Sequence, residues 1–147
     1  MLSALDEGAR ARALDRRISD ATAGGARRYA FGVARLACTT SGLKDARTLE
    51  VALGGLERFP EIDDLAHLWG LARSLNSSCA MQLGGDPSHF TPEELLRYPA
   101  CQEARAVSAV IAAMLPDAFL AARSATRQAR AAGCREADLD STATDLL

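Results

Sequence analysis

The sequence predicts an all-α protein, and three observations carry that prediction. Apolar residues make up 48% of 147 positions, enough for a core at this length, yet aromatic residues make up only 5%. Alanine dominates the apolar set and is the strongest helix former, while the β-branched residues that favour strands are few. Between breaks marked by glycine and proline, apolar positions recur at three- and four-residue spacing. The expected architecture is one irregular helical bundle of five to seven helices around a central helix at about 61–83. Residues 1–135 would form the bundle and residues 136–147 an acidic, frayed tail.

Taken in order, Ser3 can cap a first helix, with Asp6 three residues on. Leu5, Ala9, Ala13, Leu14 and Ile18 keep helical spacing to about Asp20, flanked by Arg10, Arg12, Arg16 and Arg17. Gly24 and Gly25 mark a break or loose start before a second helix from Ala26 to Thr40, which Gly42 can close in a left-handed conformation. Asp45 caps a third helix that runs toward Phe59. Gly54 and Gly55 inside it cost about 2 kcal/mol against alanine, which points to a close helix crossing there.

Pro60 stops that helix, and Leu65, Leu68, Ala72, Leu75 and Cys79 form the inward stripe of the central one. Asp63 and Asp64 suit its first turn, and the run Gly84-Gly85-Asp86-Pro87 ends it. Thr91, Pro92 and Glu94 then occupy the N-cap, N1 and N3 positions of a capping box. Pro99 bends the chain into a long helix reaching Met114, and Pro116 opens a last helix that ends near Ala132, before Gly133.

The net charge is −2, which carries no nucleic-acid signature, but the charge is segregated. Residues 1–44 hold eight basic against four acidic side chains, and residues 45–103 hold four against ten. Residues 104–135 hold five against one, and the tail has four acids and no base. Such blocks suit docking within the chain or with a partner. One lysine beside sixteen arginines, with abundant alanine, fits the codon usage of a GC-rich bacterial genome. No run of eighteen uncharged apolar residues predicts a membrane span, and the N-terminal segment lacks the apolar stretch of a secretion signal. The widely spaced Cys38, Cys79, Cys101 and Cys134 read as small buried thiols of a reduced, cytoplasmic protein.

Candidate chemistry centres on the middle helix. Asp63 and His67 lie four apart on one helix face, where a carboxylate can orient an imidazole as half of a general base. Ser74 follows His67 by seven residues, roughly 10 Å along the axis, too far for direct proton transfer. Cys79, His89 and Cys101 surround one loop but lack the close ligand pairs of a structural metal site, so neither metal nor cofactor is expected. Trp69, Asn76, Tyr98 and Gln102 are the candidate wall and polar groups of a ligand pocket. Arg123, Arg127 and Arg130 form one basic face of the last helix and, with Arg105, could grip an anionic partner.

The reading that follows is a non-catalytic, cytoplasmic bacterial protein-binding module of the immunity, antitoxin or regulatory adaptor type. Its partner would be another protein met through the charged helix face, and the alanine-rich faces would serve a homodimer equally well. The alternative is a small helical enzyme or small-molecule-binding protein, with Trp69 as pocket wall and Asp63–His67 as polar handle.

Overall fold

The computed structural model describes residues 4–147, all of whose regular elements are helical. The expected Ser3 cap and the Leu5 side chain lie outside the described part. Helix α1 spans Ala4–Asp20, α2 Ala23–Ser41, α3 Ala46–Gly54 and α4 Ile62–Leu83. A single 3-10 turn at Pro87–His89 leads to α5 (Pro92–Leu95), α6 (Pro99–Ala113), α7 (Ala118–Ala131) and α8 (Glu136–Leu146). The all-α irregular bundle is thus the fold, with eight α-helices among the described residues rather than five to seven. The excess over seven is α8, formed by the segment expected to fray.

Local signals set most boundaries. The Thr22 hydroxyl accepts the Gly25 N–H at 3.0 Å, so Gly24 and Gly25 form the first turn of α2 instead of a break. Gly42 and Gly84 close α2 and α4 at φ of 70° and 71°, conformations a side chain would strain. The Thr91–Glu94 capping box opens α5 as its sequence signature predicts. α3 stops at Gly54, earlier than expected, and the glycine pair divides in role. A Cβ at Gly55 would lie 2.3 Å from the Phe31 ring, whereas one at Gly54 would meet nothing within 4 Å. The close approach is real, but one glycine makes it, and against a ring.

The packing centres on α2 and α6 rather than on α4. Ala26, Ala30, Val33, Ala34 and Ala37 of α2 are fully buried, and α2 packs most extensively on α7 and α6. Ala106, Val107, Ala109 and Val110 of α6 and Ala121, Ala122, Ala125 and Ala129 of α7 are fully buried as well, and α6 also packs against α4. Alanine at such contacts lets helix axes approach toward the short end of the usual 8–10 Å range. α2 combines these small contacts with Tyr29 and Phe31, the two largest fully buried side chains. α4 is less enclosed, since only Leu68, Ala72 and Cys79 are buried and its outer face exposes Ile62, Trp69 and Met81.

Two further contacts correct the sequence reading. Cys79 of α4 and Cys101 of α6 form a disulfide, so the four cysteines are one bridge and two buried thiols, Cys38 and Cys134. The bridge sits in its own small apolar cluster with Ala100, against which Leu83, Leu95 and Tyr98 pack. The acidic tail is also ordered. Leu139 and Ala143 of α8 are fully buried, and α8 lies against α2 and α1. No helix among the described residues is long and apolar enough to cross a membrane.

Candidate functional site

His67 does not pair with Asp63. Its Nε2 lies 2.8 Å from Oδ2 of Asp45, the residue that caps α3. The same Oδ2 accepts the Thr48 N–H at 3.1 Å and the Thr48 hydroxyl at 2.7 Å. Burial pushes the Asp45 carboxyl up, but the hydrogen bonds from His67 and Thr48 outweigh it and hold its pKa below the ordinary value. The first turn of α4 adds a second tie to α3, with Arg47 Nε 3.3 Å from Asp64. The imidazole is oriented by a carboxylate that already closes a helix, and this makes His67 a clamp between α3 and α4. Spacing of four along one helix allowed an Asp63 contact, but a fixed acceptor on the neighbouring helix won.

The expected apolar pocket does not assemble. Trp69 and Asn76 share a depression with Arg73 and Ser77, all on the outer face of α4, and Trp69 is 55% exposed. A depression lined by one helix encloses little. Tyr98 instead packs on the disulfide cluster. The Gln102 amide donates to the Ala132 carbonyl at 2.8 Å and to the Thr40 carbonyl at 3.4 Å, tying together the C-terminal ends of α7 and α2. Two of the four residues are structural ties remote from the Trp69 face.

The arginines of α7 do converge. Arg123, Arg127 and Arg130 line one side of a groove of about 500 Å³, and Arg12 and Arg16 of α1 line the other. Leu14 and Ile18 back it from the core and are only 1% exposed, and Asp15 is the one carboxylate in its lining. Arg123 Nε donates to Asp15 at 2.9 Å and its other nitrogen reaches the Ser19 hydroxyl. Arg130 Nε pairs with Glu136 of α8 at 2.5 Å. Arg12, Arg16 and Arg127 are exposed and have no ion pair among the described residues. Arg105 lies on α6, outside the groove lining.

Compared with known proteins, the chain matches no family model, no curated protein and no solved structure.

The groove must therefore be read from its own chemistry. α7 carries three arginines and no acid, whereas α1 balances four arginines with four carboxylates, and ion pairs form at defined points: Asp15 within α1, and Glu136 and Asp140 on α8. Three exposed guanidinium groups from two helices, with no ion pair among the described residues, surround one groove. Guanidinium forks bind carboxylates and phosphates in bidentate geometry, so the groove is suited to an anion. The α1 half was missed in the sequence because a basic N-terminal block was expected to face an acidic one. The i, i+4 spacing of Arg12 and Arg16 was the available signal, but which helix they would face was not encoded in it.

Proposed function

We propose that the chain is a non-catalytic protein-binding module whose α1/α7 groove grips an acidic surface of another protein. The observation that carries this reading is the convergence on one groove, from two helices, of Arg12, Arg16 and Arg127, which have no ion pair among the described residues. An excess of one charge sign in a concave site raises the rate of encounter with an opposite partner and discriminates among partners. An immunity, antitoxin or adaptor role in a bacterium fits a small module of this kind, and the arginine-for-lysine usage fits the bacterial origin. The Cys79–Cys101 bridge weighs against a reducing cytoplasm, where such bonds rarely persist. The enzyme and small-ligand alternative loses support, because Trp69, Tyr98 and Gln102 lie on separate surfaces and His67 is held by a capping residue.

Native mass spectrometry of the protein isolated from its own cells tests the reading. A defined protein mass should accompany the parent and be lost in R127E, which alters an exposed side chain with no internal ion pair. A partner retained at full occupancy by R127E would exclude this groove.

A further inference from the structure

Resting on that reading, we infer that the groove's occupant is an acidic amphipathic helix carrying carboxylates at i, i+4 spacing. The fold contains the precedent. Glu136 and Asp140 are four apart on α8, and they meet one arginine from each wall of the α1/α7 seam: Arg130 of α7 at 2.5 Å and Arg10 of α1 at 2.7 Å. The same α8 presents Leu139 and Ala143 to the core, so an apolar stripe and an acidic pair dock together.

The groove offers the basic half of that arrangement on another side of α1. Residues 10 and 12 lie roughly 200° apart around a helix, so Arg10 turns to α8 while Arg12 and Arg16 turn to the groove. Arg12 and Arg16 are themselves one turn apart, with Arg127 across the groove from them. The lined stretch of α1, Ala11 to Ile18, covers about two helical turns, which sets the length of the complementary segment. A helix laid there would offer a carboxylate to each of these guanidinium groups, the helix-in-groove mode of recognition carried here by charge. Exposed pairs of this kind contribute little singly, so spacing rather than total charge should govern the affinity.

The test uses the full chain and three labelled probes in fluorescence anisotropy. The first is an alanine-rich helical peptide of about 18 residues with glutamates at i, i+4 and i+7. The second has the same composition with a central proline that breaks the helix. The third is a short duplex oligonucleotide, and inorganic triphosphate serves as competitor. The helical peptide should bind at least tenfold tighter than the broken one, gain nothing from the oligonucleotide's higher charge, and weaken at least tenfold with R12Q/R16Q/R127Q. Circular dichroism of that variant should match the parent, and single R16Q provides a milder check. Equal binding of both peptides would overturn the inference, as would tighter binding of the duplex or displacement by triphosphate at lower concentration than by peptide. The two readings fail separately. A cellular partner lost in R127E, with no binding of the helical peptide, would remove the helix inference alone. A partner indifferent to R127E would remove the groove itself.

Discussion

Asp45 does two jobs with one oxygen, closing α3 and holding His67 of α4. Its folded pKa lies below its ordinary value of 3.8. The stabilisation is therefore fully present above that value and is lost as pH falls through the lower folded one. D45A should cost about 1 kcal/mol at pH 7 in urea unfolding, the usual worth of a cap, and the gap to the parent should narrow below pH 3.8, where the carboxyl loses its charge but its oxygen can still accept the Thr48 N–H. A gap unchanged under strong acid would mean that the charged carboxylate is no better a partner than the neutral one. The glycine pair offers a matched contrast. G55A places a methyl against the Phe31 ring and should cost about 1–3 kcal/mol by overpacking. G54A meets open space in the last turn of α3 and should be neutral or stabilise by up to about 1 kcal/mol. Equal effects at the two sites in thermal melts would contradict the observed approach. Both residues were visible in the sequence as a costly pair, but the Phe31 ring that distinguishes Gly55 belongs to α2 and was not.

Among the elements, α8 is where pattern reading stopped short. Leu139, Ala143 and Leu146 keep the spacing of one helical face, yet the four acids around them suggested a solvated tail. Two of the acids pair with Arg10 and Arg130 while Leu139 and Ala143 bury in the core, so the segment docks through both. L139A should destabilise the whole protein by about 2–5 kcal/mol, as for a buried leucine, where a frayed tail would show no effect in denaturant titration. α4 erred in the opposite direction. Its apolar residues occupy more than one face, and density of apolar residues was taken for depth. The enclosed helices α2 and α6 instead bury many alanines, which let neighbours approach closely, while Tyr29 and Phe31 of α2 fill the core. Caps and stops fared best: Asp45, Thr91, Gly42 and Gly84 act through neighbours within a few residues, so their partners were on the page already.

For the whole molecule, the state of the cysteines is the first thing to measure. Thiol titration in denaturant without reductant should find two free thiols, not four, since Cys79 and Cys101 are bridged. In the native protein Cys38 should react slowly at neutral pH, because burial pushes its pKa up to about 12 and leaves almost no thiolate. Reducing the bridge releases a closed loop of 22-residue separation, worth about 3 kcal/mol on chain-entropy grounds, and should lower the melting temperature accordingly. The charge blocks act at the same scale. Two acids of the tail pair with Arg10 of α1 and Arg130 of α7, while Arg12, Arg16 and Arg127 are left exposed along one groove.

By itself the sequence determined the fold class, the existence of nearly every helix, and their caps, because helix formation and capping depend on residues within one or two turns. It also contained each arginine of the groove and each cysteine of the bridge. Which arginines share a groove, which cysteines meet, which carboxylate reaches His67 and which helices lie at the centre were decided only in the tertiary structure. Those are contacts between helices, set by which faces bury together most closely and where opposite charges relieve the packing of like ones, and no period within a single helix encodes the partner it will face.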